Sequence, residues 1–157
     1  MPMEDAFHAA KVMSMIYGGF FKDVAQQIGR EKALALHAKQ GELFGAKLEG
    51  MVRAEVADKG LNIQTLSSVL STAPAVFGMT PEVEEAATSF KLQSHACPIY
   101  DGYREAGLDH ETIGSMCRAM AATEYAVLTK AFRQVSARLE FKSVADRPCI
   151  EEYSLAK

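Results

Sequence analysis

The stretch FKLQSHACPIYDGYREAG, residues 90–107, predicts a short strand that runs directly into a short helix. Apolar and polar residues alternate from Phe90 to His95, which is typical of a half-buried strand. Pro98 fits the first helical position, where an N–H would have no helical partner, and Gly107 fits the left-handed residue that ends a helix. Cys97 is therefore the predicted N-cap residue, and the positive end of the helix dipole would favour its thiolate form.

The composition is that of an ordinary folded protein. The chain has 157 residues, of which 48% are hydrophobic and 24% charged, and this predicts one domain with a sizeable core. The formal net charge is −3 and no basic cluster occurs, so we expect neither nucleic acid nor a membrane as partner. The amino-terminal residues lack signal-peptide features, and no apolar run reaches the roughly 20 residues of a membrane span. We therefore expect a cytoplasmic location.

The first part of the chain, residues 1–80, is predicted to be helical. One helix is expected at 4–28, a second at 30–58, and a shorter third at 61–79 that breaks at Pro74. In the first helix an apolar residue recurs at every fourth position, which is typical of a helix with one apolar face. The members of that stripe are Val12, Ile16, Phe20, Val24 and Ile28.

Two glycines mark a close contact on the second helix. Gly41 and Gly45 lie one turn apart on its apolar stripe, so another helix could approach closely there. One hypothesis is a helical interaction protein in which this face packs a second copy, which would make a homodimer. His37 lies on the same stripe and is either a buried histidine with a hydrogen-bond partner or a site residue.

Residues 81–157 are predicted to carry the sheet and the cysteines. Thr80 and Pro81, followed by glutamates, predict a brief helix start, and Asp109 predicts the N-cap of a helix at 110–132. Strands are expected near 88–95 and in a carboxyl-terminal hairpin at 136–155. The predicted fold class is α+β, with one mostly helical domain over 1–157 and a small antiparallel sheet.

Glu124 is an acidic residue on the apolar side of the helix predicted at 110–132. It falls on an apolar stripe with Cys117, two turns away and about 10 Å along the axis. A buried carboxylate needs a partner or must take up a proton. Glu124 therefore either reaches solvent or an arginine from the edge of the stripe, or acts as a general acid/base in a dry pocket.

Three cysteines, Cys97, Cys117 and Cys149, occur in a chain without an export signal, so we expect thiols and no disulfide framework. If they converge, Cys97 is a nucleophile in a pocket that the other two shape. Alternatively, the three thiolates hold zinc or an iron–sulfur cluster with one open position. Their spacings match no standard metal signature, so whether a metal binds is open.

Four further residues complete the candidate site. His95 is the nearest base to Cys97, although such a histidine can also lie over solvent. Tyr100 and Arg104 belong to the helix after Cys97, and Arg104 could hold a substrate carboxylate unless it is a surface arginine. With His37, these two form the predicted substrate-binding set.

The segments SHACPIYDGYREAGL, IGSMCRAM and RPCIEEYSL, in this order, resemble the L-2-amino-thiazoline-4-carboxylic acid hydrolase family. The resemblance implies hydrolytic opening of a cyclic amidine or thiazoline ring, and it carries over the three cysteines. We therefore expect a hydrolase acting on a C–N or C–S bond of a small-molecule substrate, with no required cofactor. Cys97 would be the thiolate, and Glu124 or His95 would move protons. The alternative is a non-catalytic ligand- or metal-binding module that uses the three thiols.

Overall fold

The computed structural model describes residues 2–156, and in this part of the chain five α-helices and four strands form one α+β domain. The helices are α1 (Met3–Ile28), α2 (Arg30–Lys59), α3 (Ile63–Thr72), α4 (Pro98–Glu105) and α5 (His110–Ala131). The strands are β1 (Glu82–Glu85), β2 (Ser89–Ser94), β3 (Val135–Glu140) and β4 (Cys149–Leu155). A short 3-10 helix, Ala73–Phe77, follows α3. The predicted fold class is confirmed.

The four strands form one antiparallel sheet in the order β1-β2-β4-β3. The last strand in the chain therefore lies inside the sheet, between β2 and β3. Phe90 of β2 is opposite Tyr153 of β4, and their rings stack with centroids 5.0 Å apart. Both side chains are buried, and they belong to the core in which the inner face of the sheet packs against α2, α3 and α5.

The predicted helix start at Thr80 is wrong, because the residues that follow form β1. Glu82 pairs with Gln93 and Glu85 with Phe90, so the main chain of β1 bonds to the outer edge of β2. A single helical turn closes very few hydrogen bonds for the residues it orders, whereas the edge of β2 offers a complete ladder. Pairing with a strand later in the chain therefore overrides the local capping signal.

Helices α2 and α5 pack closely along the glycine stripe. A Cβ on Gly41 would overlap the Met120 carbonyl and the Thr123 hydroxyl, and one on Gly45 would lie 2.7 Å from the Glu124 carbonyl. The Thr123 hydroxyl also donates to the carbonyl of Ala38 across the same contact. The hypothesis that this face packs a second copy is therefore wrong, because α5 of the same chain occupies it.

Helix α1 packs against α4 through two other glycines. A Cβ on Gly18 would lie 2.9 Å from Cβ of Ala106, and one on Gly102 would lie 2.7 Å from the amide nitrogen of Met15. This contact turns most of the predicted apolar stripe of α1 outward, so that Ile16 and Phe20 are 60% and 63% exposed. Within residues 2–156, no helix has both the length and the apolarity to cross a membrane.

We predict that Gly41→Ala reduces the free energy of unfolding by about 2–4 kcal/mol, because its Cβ must push α5 away from α2. Gly50→Ala is the matched control on the same helix, since a Cβ there meets nothing within 4 Å. That variant should gain about 0.5–1 kcal/mol from helix propensity. Urea unfolding measures both, and equal stability of the two variants would contradict the close-packing account.

Candidate functional site

The strand-to-helix corner forms as the sequence predicts. Cys97 is the N-cap of α4, and its sulfur accepts a hydrogen bond from the Tyr100 amide at 3.5 Å. Gly107 has a φ of 80° just beyond the end of α4, in the left-handed region where glycine is favoured. The predicted start and end of this helix, and the N-cap position of Cys97, are therefore confirmed.

The charge of Cys97 differs from the prediction. Burial raises the pKa of its thiol to about 11, and the amides of Tyr100 and Ile99, which favour the thiolate, offset only part of this. At neutral pH the side chain is a thiol and not the expected thiolate. Removal from water outweighs the positive end of the helix here, because a short helix contributes little against the loss of solvation of an anion.

The other two cysteines line the same cavity as Cys97 and are also protonated. Burial raises the pKa of Cys117, and the neighbouring Cys97 and Cys149 raise it further. Burial likewise raises the pKa of Cys149, although the amide and the ammonium of Lys142 act in the opposite direction. The three thiols therefore share one cavity as small apolar groups.

A metal centre does not fit these residues. Within residues 2–156, no three histidine, cysteine, aspartate or glutamate side chains are grouped closely enough to hold a metal ion. Zinc or an iron–sulfur cluster would require deprotonated thiolates gathered around one centre. The three thiols line the cavity walls without forming such a group.

The cavity that contains the thiols has a volume of about 300 Å³ and lies between α2, the α3 region, α5 and the sheet. Its aliphatic and thioether walls include Leu48, Met51, Leu70, Met79, Met120 and Leu139. Its aromatic walls are Phe44, Phe77, Phe141 and Tyr153. Lys47, which is exposed on α2, also borders the cavity. The cavity is therefore apolar apart from a few polar groups.

Two carboxyl groups, Glu124 and Glu151, line the cavity. Burial raises the pKa of Glu124 to about 8, with a smaller contribution from the negative charge of Glu151. Glu151 accepts hydrogen bonds from the hydroxyls of Tyr125 at 3.0 Å and Tyr153 at 2.7 Å. Glu124 therefore holds a proton at neutral pH, while the two tyrosines stabilise the carboxylate of Glu151.

The remaining predicted base, His95, lies outside the cavity. Its side chain is exposed, and its Nε2 atom is 3.6 Å from a carboxylate oxygen of Glu82 on β1. The period-2 alternation of β2 explains this, because Phe90, Leu92 and Ser94 turn inward and the next residue turns away.

The predicted substrate-binding residues serve the packing of the helices. His37 is buried; its Nε2 donates to the Met116 carbonyl at 3.1 Å, so its Nδ1 accepts from the Tyr17 hydroxyl at 3.0 Å. Burial lowers the pKa of this histidine, in agreement with a neutral ring. Tyr100 is also buried, and its hydroxyl is 2.9 Å from Nδ1 of His110.

Arg104, the third predicted substrate-binding residue, is exposed on α4 and does not line the cavity. Its guanidinium lies over the Tyr100 ring, 6.0 Å from the centroid, and a second cation, Nζ of Lys142, lies closer to the same centroid at 3.9 Å. Lys142 is only 4% exposed, and its ammonium also donates to the Ala145 carbonyl at 2.9 Å. Lys142 thus joins the loop after β3 to α4 behind the thiols.

Sequence reasoning missed Glu151 as a site residue, and with it the pair of tyrosines that bond to it. A signal was present, because alternation along the last strand places Cys149, Glu151 and Tyr153 on one face. It was weak because a glutamate in a short strand is usually solvated. In the structure this face of β4 points into the cavity, which all three side chains line.

No protein-family model and no curated protein matches the chain. Among solved structures, it is similar to a trafficking protein particle complex subunit 3 from Naegleria fowleri, described as covalently bound to palmitic acid. The sequence identity is 12%, the match covers 95% of this chain and 96% of that chain, and the TM-score is 0.48. The resemblance to the thiazoline-carboxylate hydrolase family thus stays a prediction.

The prediction of a small-molecule hydrolase, with its substrate as partner, is corrected. In the chain itself, burial keeps Cys97 protonated, and the base expected beside it faces away from the cavity. The alternative of a three-thiolate metal module is not supported either, for the reason given above.

We predict that Glu124→Gln flattens the dependence of stability on pH. The pKa of Glu124 rises from 4.5 to about 8 on folding, so the folded chain binds more protons than the unfolded chain between these values. The free energy of unfolding of the wild type should therefore fall as pH rises through this window, by on the order of 5 kcal/mol.

Glutamine does not titrate, so the free energy of unfolding of the Glu124→Gln variant should not show this fall as pH rises. Glu42→Gln, a change of the same charge on the exposed side of α2, is the control and should follow the wild type. Urea unfolding at a series of pH values measures the difference. Parallel curves for wild type and Glu124→Gln would contradict the burial of this carboxyl group.

We also predict slow alkylation of the native thiols by iodoacetamide at neutral pH. Burial raises the pKa of all three thiols, and that of Cys97 to about 11. The folded chain should therefore react about 100-fold more slowly than the chain in urea, because only the thiolate reacts. A Ser136→Cys variant supplies an exposed thiol as internal reference. Rapid native labelling of Cys97 would show that it is a thiolate after all.

Proposed function

We propose that this protein binds the aliphatic chain of a lipid-like molecule in the cavity between α2, the α3 region, α5 and the sheet. The observation that carries this function is an apolar cavity of about 300 Å³ in which the three thiols and the Glu124 carboxyl group are uncharged at neutral pH. A cavity of that size lies at the lower end of ligand sites in proteins. Transfer of methylene groups from water into it is favourable by about 0.8 kcal/mol each.

The protonation states favour an uncharged chain over a polar substrate. Cys97 with a pKa of about 11 and Glu124 with a pKa of about 8 carry no charge at neutral pH. The charge of Glu151 is stabilised by two tyrosine hydroxyls. An anionic group of a ligand inside the cavity would have to leave water close to the carboxylate of Glu151, which is unfavourable.

The walls and the border of the cavity suit a flexible amphiphile. Met51, Met79 and Met120 supply unbranched thioether side chains that adapt to the shape of a ligand. Phe44 and Val76 are 36% and 59% exposed where they border it, and Lys47 lies on the same side of α2. The aliphatic chain would therefore lie inside, with its polar end near Lys47.

The palmitic acid of the matched trafficking subunit belongs to the same ligand class, but that is a property of that protein. For the present chain we rely on the cavity alone. A cytoplasmic location is part of the proposal, and it is supported by three cysteines that are free thiols.

We predict that the full chain binds dansyl-labelled undecanoic acid, whose fluorescence rises in apolar surroundings, and that dodecanol displaces it. Cys117→Phe places a phenyl ring inside the cavity and should weaken binding at least about 10-fold, because the added volume occupies the ligand site. Met120→Phe places a ring on another wall of the same cavity and serves if the first variant does not fold.

The control is Met13→Phe, which adds a similar side chain to the exposed face of α1, where Met13 is 66% exposed. It should bind the probe as the wild type does. Circular dichroism checks that all variants are folded. Equal affinity of the wild type and both cavity-filling variants would exclude this cavity as the binding site.

A further inference from the structure

The outer side of α1 carries large apolar side chains that the rest of residues 2–156 leaves uncovered. Val12, Met13, Ile16 and Phe20 are 37%, 66%, 60% and 63% exposed. Gly19 lies among them, and a Cβ at this position would meet no atom within 4 Å. A helix normally turns such a stripe toward its own core, whereas here the opposite side of α1 is the buried one.

Helix α2 extends this surface. Leu36 and Leu43 are 50% and 69% exposed. Leu36 is next to His37, which bonds to Tyr17 of α1, and the ring of Tyr17 lies 6.4 Å from that of Phe20. The two exposed sets therefore border each other. We call this surface the outer face, and its members are Val12, Met13, Ile16, Phe20, Leu36 and Leu43.

The spacing of the outer face is that of a helix-pairing seam. Ala9, Met13, Ile16 and Phe20 are separated by steps of four, three and four residues, and Leu36 and Leu43 are seven apart. This is the heptad pattern by which one helix inserts its side chains between those of a second helix. The neighbouring elements of the chain pack on other sides of α1, so the seam has no partner within residues 2–156.

We propose that a second copy of this chain docks on the outer face, with the two α1 helices antiparallel across a two-fold axis. With the axis at the middle of the seam, Phe20 of one copy meets Ala9 of the other, and Met13 meets Ile16. A large side chain is thereby placed against a small one on both sides of the axis. A parallel arrangement would instead bring the two copies of Asp23, the next seam position, against each other.

The area and the charge of the surface favour a second copy over a lipid surface. The exposed fractions of the six side chains correspond to an apolar area on the order of 600 Å² per copy, at the upper end for a monomer. With a polar rim, this approaches the roughly 800 Å² per partner of a specific interface. The four seam positions of α1 are uncharged, and Lys11, which lies between two of them in the sequence, forms an ion pair with Glu105 of α4. The chain has a net charge of −3, which disfavours anionic membranes.

Sedimentation equilibrium of the full chain over a range of concentrations tests this dimer. The wild type should be dimeric, and Phe20→Lys should raise the dimer dissociation constant at least about 30-fold, because a charge is placed where Phe20 of one copy packs against Ala9 of the other. Leu43→Lys tests the contribution of α2 in the same way. Both side chains are largely exposed in the monomer, so circular dichroism should show an unchanged fold.

Val83→Lys is the matched control, since Val83 is 45% exposed on β1, away from the outer face, and the charge change is the same. It should leave the dissociation constant unchanged. A wild type that stays monomeric at every concentration would overturn the inference, as would a dimer that Phe20→Lys does not weaken. Flotation of a monomeric chain with phosphatidylcholine vesicles would assign the outer face to lipid instead. Aliphatic-chain binding is measured separately and does not depend on this result.

Discussion

The close approach of α2 and α5 at Gly41 and Gly45 is the constraint on which the rest of the structure depends. Because these positions lack a Cβ, the backbone of α5 can rest directly on α2 near Met120 and Glu124. Each glycine in a helix interior costs about 1 kcal/mol of stability relative to alanine, and the packing of α2 against α5 offsets this cost. The contact fixes the rotation of α5, and thereby directs Cys117 and Glu124 into the cavity.

Burial then decides the chemistry of that cavity. The start of a helix stabilises a nearby anion by about 1 kcal/mol, whereas removal from water can shift a pKa by several units. Cys97 experiences both effects, and the second is the larger. The same reasoning applies to Glu124, which takes up a proton because it is buried, with a smaller contribution from the negative charge of Glu151. Cys97 has the position of a nucleophilic cysteine at a helix start, but it is an uncharged part of the apolar cavity wall.

Features that depend on local sequence could be predicted, and features that depend on distant contacts could not. Pro98, Gly107 and Asp109 mark helix boundaries through their own backbone preferences, and the structure places those boundaries where expected. β1 was missed because its partner strand is what makes Glu82–Glu85 extended. The apolar stripe of α1 was recognised, but its direction depends on Gly18 and Gly102, whose contact with α4 has no pattern in the sequence. The convergence of Cys97, Cys117 and Cys149 on one cavity was raised as a possibility, whereas their charge state depends on the completed core.

The position of β4 inside the sheet has a consequence for the order of folding. Cys149–Leu155 is synthesised after every other element described, yet it separates β2 from β3 and supplies Tyr153 to stack on Phe90. Until it emerges, β2 presents an unpaired edge and the cavity lacks the wall that carries Cys149 and Glu151. The nascent chain can form its helices early, but it closes its core only in the final step, and its unfinished sheet is exposed to mispairing until then.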